Sequence, residues 1–187
     1  PLDNYEAVVK FIRLLNSPYG LGISFRRITL STCGLVPGIR RLASERLPIT
    51  LSVSLHAPRD ELRDELVPIN RKFPLAELMD ACRYYADLTG RRITFEYSVI
   101  EGTNDSRREA IELATLIKGI PSHVNIIPVN PISERGYRRP SRKRVEEFRR
   151  ELERRGVNVT VRRELGADID AACGQLRRRY YALDFGG

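Results

Sequence analysis

The sequence predicts a parallel α/β fold, an incomplete (β/α) barrel of about five strands. Helical and strand patterns alternate along the chain, and parallel neighbours need such crossover connections. Right-handed crossovers then give a barrel or an open sheet. Two strands carry polar residues on one face, whereas a strand covered on both faces of an open sheet is nearly all apolar. The polar face therefore favours a barrel whose lumen holds a ligand.

The first third of the chain predicts a helix, a strand and a short helix. The helix lies in "DNYEAVVKFIRLLNSPYG", with Asp3 as its expected N-cap, Glu6 three residues later and apolar residues at helical spacing. Pro18 and Gly20 are expected to end it. A strand follows from Arg26 to Ser31, and then a helix in "VPGIRRLASE".

The middle of the chain predicts two strands separated by two helices. The first strand runs from Ile49 to His56, and the second from Arg92 to Ile100. The helices lie in "PRDELRDEL" and in "PLAELMDACRYYADLTG", the latter opened by Pro74 and closed by Gly90. The acids of "RDELRDEL" stand at helix-face spacing to its arginines, which predicts surface ion pairs.

The last third predicts two more helix and strand units. A capped helix in "NDSRREAIELATLIKG" ends at Gly119 and precedes a strand that starts at Val124 in "VNIIPVNP". A helix then runs from a Ser141 cap to Gly156, and the last strand, "VNVTVRR", starts at Val157.

Small polar residues stand at the carboxyl ends of several strands. Ser31, Ser54, His56 and Asn130 hold such positions, and α/β proteins bind ligands at this edge of the sheet. Each residue alone could equally cap the following helix. Their recurrence at successive strand ends predicts a binding site.

Charge and composition suggest, without deciding, a polyanionic partner. The 187 residues carry a net charge of +8, and arginines crowd into the C-terminal third beside tyrosines that could stack on bases. A basic surface can also serve solubility alone, and half of the first arginine run fits a solvated helix face. No apolar run approaches the roughly 20 residues that span a bilayer, so we expect a cytoplasmic protein without a membrane partner.

Three cysteines lie far apart and form no metal-binding or disulfide pattern. Cys33 and Cys82 are interpreted as packing residues. Cys173, in "AACGQL", could be a buried residue of a small-residue turn or a nucleophile beside Arg162 and Arg163.

Familiar catalytic patterns are missing from the sequence. It contains no serine elbow, phosphate loop or zinc-protease motif, and its two histidines are His56 and His123, the latter interpreted as a surface residue in a loop. A small-molecule barrel enzyme is disfavoured because no acid–base pair stands at the strand ends. A basic RNA-binding module without catalysis stays open as an alternative.

Several blocks resemble one family over nearly the entire chain. "ITLSTCGLVPGIRRL", "LSVSLHAPRDELRDELVPIN", "EYSVIEGTND", "NIIPVNP" and "VRRELGADIDAACGQL" are similar to the radical SAM methyltransferases of the RlmN/Cfr type, which methylate adenine in RNA. The resemblance implies a partial TIM barrel of the radical SAM type. Residues 1–187 would form the C-terminal part of that barrel, with segment 164–187 carrying the methyl-accepting cysteine.

The resemblance also assigns roles to residues. Ser31, the Ser54-Leu55-His56 triplet and Asn130 would hold S-adenosylmethionine, at strand ends already singled out. Cys173 would first accept a methyl group from one S-adenosylmethionine. A [4Fe–4S] cluster would cleave a second molecule, and the resulting 5′-deoxyadenosyl radical would activate the methylated sulfur for addition to adenine carbon 2, or carbon 8 in the Cfr subgroup.

The sequence departs from the family pattern in ways that limit the expectation. The Cys-x-x-x-Cys-x-x-Cys motif that holds the cluster in the family does not occur, so no metal-binding residue is assigned here. The Gly-x-Gly-Glu segment, the RNA-binding accessory domain and the second cysteine are expected upstream and beyond these residues. The chain alone is therefore expected to be inactive, with a barrel strand missing and a sheet edge exposed.

For the whole protein, the resemblance implies partners as well. These are 23S rRNA and tRNA, with carbon 2 as the default target, and an electron donor for the cluster. The full-length protein is expected to be a monomer.

Overall fold

The computed structural model describes residues 1–130 and 136–162. Five strands alternate with helices along this part of the chain. The strands are β1 (Thr29–Thr32), β2 (Thr50–Ser54), β3 (Ile93–Val99), β4 (Ser122–Pro128) and β5 (Val159–Val161). The α-helices are α1 (Tyr5–Asn16), α2 (Val36–Ser44), α3 (Asp60–Leu66), α4 (Leu75–Thr89), α5 (Arg107–Leu116) and α6 (Arg142–Arg154). Three 3₁₀ turns cover Leu2–Asn4, Phe25–Arg27 and Pro68–Arg71.

All five strands are parallel and lie in the order β1-β2-β3-β4-β5. Sequential order with right-handed crossovers puts every helix on the same face of the sheet, as in a barrel, whereas a doubly wound sheet reverses its order. β1 and β5 do not pair with each other, so the sheet is open within the described residues. The prediction of an incomplete parallel barrel of five strands is confirmed.

The two faces of the sheet differ sharply in polarity. On β3, Ile93, Phe95, Tyr97 and Val99 are buried beneath the helices. The alternate residues of the same strand are polar and half-buried on the inner face. Helix α6 covers the outer face through Phe148, whose ring stacks on Tyr97 with centroids 5.2 Å apart.

Local capping was predicted correctly at two helices and wrongly at one. Ser106 and Glu109 form a capping box at the start of α5, and Ser141 accepts a hydrogen bond from the Arg144 N–H at the start of α6. Asp3 does not cap α1, because a 3₁₀ turn precedes that helix and it begins at Tyr5. The predicted helix end is sound, since α1 stops before Ser17, which precedes Pro18 in extended backbone.

The first strand is shorter than predicted. Arg26 and Arg27 lie in a 3₁₀ turn rather than in the strand, which begins at Thr29. The pairing explains this start, because the ladder with β2 begins where Thr29 meets Thr50.

Three arginines of α6, Arg149, Arg150 and Arg154, form ion pairs along the helix. Arg149 pairs with Glu146 at 2.7 Å and with Glu153 at 2.6 Å, and Arg154 pairs with Glu151 at 2.6 Å. The interpretation of this arginine run as a solvated helix face is correct for these residues. The predicted arginine and tyrosine cluster further along, in segment 164–187, lies outside the described residues.

We expect Phe148→Ala to destabilise the fold by about 3–5 kcal/mol, because it removes a ring that is only 1% exposed and leaves a cavity over β3. The matched control is Phe11→Ala on α1, where the ring is 59% exposed and the cost should stay below about 0.5 kcal/mol. Urea denaturation followed by circular dichroism measures both. Equal losses in the two variants would contradict the assignment of α6 to the core.

Candidate functional site

The predicted site residues that the structure describes lie at the carboxyl edge of the sheet or on its inner face. Ser31 is exposed within β1, and Ser54 is the half-buried last residue of β2. His56 and Asn130 are half-buried and follow the ends of β2 and β4. Leu55 differs, because its side chain is fully buried in the core and only its backbone faces the edge.

The segment after β2 makes a sharp turn centred on His56. The Ala57 N–H donates to the Leu55 carbonyl at 2.8 Å, which closes a three-residue turn. His56 itself has φ of 60°, a left-handed backbone that residues other than glycine adopt at a cost. Strain of this kind is found where surrounding contacts enforce a side-chain position.

The imidazole of His56 is held neutral in one tautomer. Its Nδ1 accepts the Ser98 backbone N–H at 3.0 Å, so the ring proton of the neutral form is on Nε2. Burial, together with the smaller effect of the charge of Arg63, lowers the pKa of His56 from 6.5 to about 4. At neutral pH the ring therefore offers an Nε2–H donor and no positive charge.

Asn104 fixes the other side of this turn. Its fully buried side-chain amide donates to the His56 carbonyl at 2.8 Å and to the Ser98 carbonyl at 2.7 Å, and its Oδ1 accepts the Ile100 N–H at 2.7 Å. The Tyr97 hydroxyl donates to the Asn104 backbone carbonyl at 3.0 Å. One asparagine thus locks the ends of β2 and β3 together.

Arg63, on α3, is the buried cation beneath the site. Its side chain is 0% exposed and donates to the carbonyls of Leu55 at 3.1 Å, Cys33 at 2.7 Å and Ser54 at 3.1 Å. The ends of β1 and β2 are thereby held by one guanidinium. Burial lowers the pKa of Arg63 to about 10, which leaves it charged at neutral pH.

The charge of Arg63 is balanced by two aspartates that are linked to it through Asn70. Its Nη1 donates to Asn70 Oδ1 at 2.8 Å, and the Asn70 amide donates to Asp60 at 2.9 Å and to Asp64 at 2.7 Å. Asp60 also accepts the Leu75 N–H at 2.8 Å, which ties the start of α4 to the same network. The predicted surface ion pairs of "RDELRDEL" are therefore wrong for these residues.

Gly34 allows this close approach of the guanidinium to β1. It has φ of 109°, and a Cβ there would lie 3.1 Å from Arg63 Nη2. A side chain at this position would push against both the backbone and the cation.

Polar residues of four strands form a chain of hydrogen bonds on the inner face. Ser52 donates to Glu96 at 3.0 Å, and Asn125 donates to the other carboxylate oxygen at 2.9 Å. Thr160 donates to Asn125 Oδ1 at 3.2 Å and contacts His123 Nε2 at 2.9 Å. His123 belongs to β4, so its prediction as a loop residue is wrong.

The cysteines are only partly as expected. Cys82 is fully buried in α4, and burial raises the pKa of its thiol to about 12, which confirms it as a core residue. Cys33 is exposed beyond the end of β1, so its interpretation as a packing residue is wrong. Cys173 lies outside the described residues.

Arg63, Asn104 and Glu96 are the site residues that sequence reasoning missed. Asn104 stands in the block "EGTND" directly after a strand, and Glu96 is the acid on the polar face of β3. Both signals were present but carried no assigned role. The burial of Arg63 was missed because four acids surround it in the sequence, a pattern that indicated a surface helix.

Two further properties concern metals and membranes. Among the described residues, no group of three His, Cys, Asp or Glu side chains is placed to hold a metal ion. Within the same part of the chain, no helix has the length and apolar character needed to cross a bilayer.

Comparison with known proteins finds relatives that are described as probable RNA methyltransferases. No protein-family model matches it. It is 64% identical over 180 residues to a probable dual-specificity RNA methyltransferase RlmN of Pelotomaculum thermopropionicum, covering 96% of this chain and 49% of that protein. A protein of the same description from Desulforudis audaxviator is 61% identical, with 57% of its length covered. The chain thus spans about half the length of the curated relatives it matches.

Solved structures agree with this similarity. A radical SAM methyltransferase from Sphaerobacter thermophilus is 51% identical and superimposes with a TM-score of 0.89 over 94% of this chain and 51% of its own. A domain of the pyruvate-formate lyase-activating enzyme from Bacteroides vulgatus matches with a TM-score of 0.69 at 16% identity. The second match, which covers 87% of this chain, supports the fold alone.

We expect His56→Asn to flatten the acid dependence of stability. The pKa of His56 is about 4 in the folded protein and near 6.5 when unfolded, so the unfolded state binds the extra proton between these values. Stability contributed by the neutral ring is complete above about pH 6.5 and falls as the pH drops towards 4. Asparagine tolerates the left-handed backbone, so the variant should fold. Denaturant titrations at pH 7 and pH 4.5 measure the difference, and an unchanged pH slope would contradict the burial of a neutral ring.

We expect Arg63→Lys to destabilise the protein by about 2–4 kcal/mol, because an ammonium cannot reach all four acceptors and leaves buried carbonyls without donors. Arg59→Lys is the matched control. Arg59 pairs with Glu109 and Glu112 at a side chain that is 32% exposed, and the same change should cost less than about 1 kcal/mol. Thermal and urea unfolding of both variants gives the comparison. If Arg63→Lys lost no more stability than Arg59→Lys, the role of the Arg63 guanidinium in holding the strand ends would be refuted.

Proposed function

Because this chain belongs to the RlmN-type radical SAM RNA methyltransferases, of which it spans about half the length, we propose that it is the part of such an enzyme that binds S-adenosylmethionine and carries the methyl-accepting cysteine. The whole protein would methylate carbon 2 of adenine in 23S rRNA and tRNA. The observation that carries the proposal is the shared edge of the sheet, where Ser31, Ser54, His56 and Asn130 all stand.

The residues present fit S-adenosylmethionine. The inner face and the carboxyl edge offer hydroxyl, amide, imidazole and carboxylate groups around a parallel sheet, as adenosine and amino-acid groups require. When bound, S-adenosylmethionine supplies the methyl group and, after one-electron reduction, the radical that activates it.

Individual residues would bind and orient the cofactor in different ways. Ser54 and Ser31 offer hydroxyl groups on neighbouring strands, and the neutral His56 offers its Nε2–H. Leu55 would contribute by fixing the turn between Ser54 and His56, since its side chain is buried and its backbone N–H and carbonyl are bonded within the protein. Asn130 offers an amide beyond the end of β4.

A [4Fe–4S] cluster does not fit the described residues. Cluster ligation needs several thiolates close together, and Cys33 and Cys82 stand singly, one exposed and the other in the core. The sequence also contains no Cys-x-x-x-Cys-x-x-Cys. We therefore propose that residues outside this sequence hold the cluster and that a donor protein supplies the electron that reduces it. The 187 residues alone would then be inactive.

Cys173 is proposed as the residue that carries the methyl group between cofactor and adenine. This role follows from the match of "DIDAACGQL" to the family pattern, and Arg162, at the end of the described residues, is exposed near the start of that segment. An RNA partner also fits the net charge of +8. A monomeric, cytoplasmic protein is the simplest form of this proposal.

The second candidate function is methylation at carbon 8, as in the Cfr subgroup. It shares every residue discussed above, so the product and not the fold separates the two. A non-catalytic RNA-binding module is the third reading, and it requires that Cys173 be dispensable.

We expect a family-length protein carrying this sequence to contain one added methyl group on the peptide that holds Cys173. Peptide mass spectrometry detects it, and Cys173→Ala should abolish both this mark and methylation of RNA. Cys33→Ala is the matched control and should retain both. Nucleoside mass spectrometry of the RNA should find 2-methyladenosine.

Other outcomes of this experiment would decide between the readings. A product of 8-methyladenosine would favour the Cfr-like function. Methylation of Cys33 or Cys82 in place of Cys173 would overturn the assignment of roles. RNA binding without methylation of RNA or of Cys173, unchanged in Cys173→Ala, would support the non-catalytic module.

A further inference from the structure

Glu96 occupies the centre of the inner face and touches the candidate site through its backbone. Its carbonyl accepts the N–H groups of Leu55 at 3.0 Å and of His56 at 3.3 Å. In the ladder between β2 and β3 its Cα partner is Ser54, so the two side chains stand next to each other on the same face. Glu96 is therefore the acid that lies nearest in register to the proposed cofactor residues.

The carboxylate of Glu96 is held by neutral donors. One oxygen accepts the Ser52 hydroxyl and the other the Asn125 amide. Asn125 is fixed in turn by Thr160, which contacts His123. This network sets the position of the carboxylate and leaves it further lone pairs that can accept a ligand.

The buried acids in the described residues have an arginine partner, whereas the half-buried Asp60 and Asp64 belong to the Arg63 network through Asn70. Glu109 pairs with Arg59 at 3.1 Å, and Asp105 pairs with Arg144 at 3.3 Å. Glu151, which is 3% exposed, pairs with three arginines. Within the same ranges no ion pair to Glu96 is formed.

A half-buried carboxylate that has no cation partner among the described residues favours a positively charged ligand. Hydrogen bonds from neutral groups stabilise the anion but do not cancel its charge, and the lumen screens that charge less than bulk water does. S-adenosylmethionine carries an ammonium, a carboxylate and a sulfonium, and therefore a net charge of about +1. One uncompensated carboxylate matches one excess positive charge.

We propose that Glu96 is a cofactor-recognition residue whose carboxylate selects the sulfonium form of the adenosyl ligand over the neutral thioether. The inference rests on the proposed function, because it takes S-adenosylmethionine as the ligand of the edge formed by Ser54 and His56. It adds a basis for releasing the spent cofactor, since S-adenosylhomocysteine lacks the charge that Glu96 attracts.

The test compares two ligands that differ by one methyl group and one charge. Isothermal titration calorimetry of a family-length protein carrying this sequence measures dissociation constants for S-adenosylmethionine and S-adenosylhomocysteine. Glu96→Gln removes the charge and keeps the shape, with its amide nitrogen facing the Ser52 hydroxyl and its oxygen facing the Asn125 amide. Glu77→Gln, an exposed acid on α4, is the control for loss of one surface charge.

We expect Glu96→Gln to weaken binding of S-adenosylmethionine by about tenfold and binding of S-adenosylhomocysteine by less than about twofold. Glu77→Gln should change neither, and Glu96→Asp should keep the preference for the charged ligand. Thermal melts confirm that the variants are folded.

The remaining outcomes contradict distinct statements. Equal weakening of both ligands by Glu96→Gln would overturn charge recognition and indicate a contact with a group common to both ligands. Unchanged affinities would remove Glu96 from the site. A wild-type chain that binds neither ligand would overturn the proposed cofactor site itself.

Discussion

One buried guanidinium determines how the carboxyl ends of the first two strands are arranged. Among the described residues no carboxylate contacts Arg63 directly, and its guanidinium donates instead to three backbone carbonyls and one asparagine. Backbone carbonyls at strand ends normally turn to water or to helix caps, and here they converge on one cation. Asn70, Asp60 and the start of α4 belong to the same hydrogen-bond network. The positions of α3 and α4 and of the ends of β1 and β2 therefore depend on this one network.

The sheet separates two functions between its faces. The outer face is apolar and carries the packing of the helices, so stability comes from residues such as Phe95, Tyr97 and Phe148. The inner face is polar and would be a poor core, since every polar group there needs a partner. Its hydrogen-bond chain from Ser52 to Thr160 meets that need and keeps the lumen ready for a polar ligand.

Much of the fold was predictable from local patterns, but the contacts that organise the site were not. Alternation on β3, the cap at Ser106 and the polar strand ends depend on neighbours in sequence, which a single sequence displays. The burial of Arg63 depends on carbonyls up to 30 residues away, and His123 enters a strand because it pairs with Thr94 of β3. Asp3 failed as a cap because tertiary packing of Leu2 favours a 3₁₀ turn before the helix.

The ion pairs along α6 change what the excess of positive charge can do. The charge of each arginine that pairs with Glu146, Glu151 or Glu153 is already partly neutralised by a carboxylate of the protein. A phosphate that approached this helix would have to displace a carboxylate before it gained anything from releasing salt ions. The paired arginines of this helix therefore contribute little to binding RNA, and the ionic-strength dependence of any RNA complex would report on basic residues that no carboxylate holds.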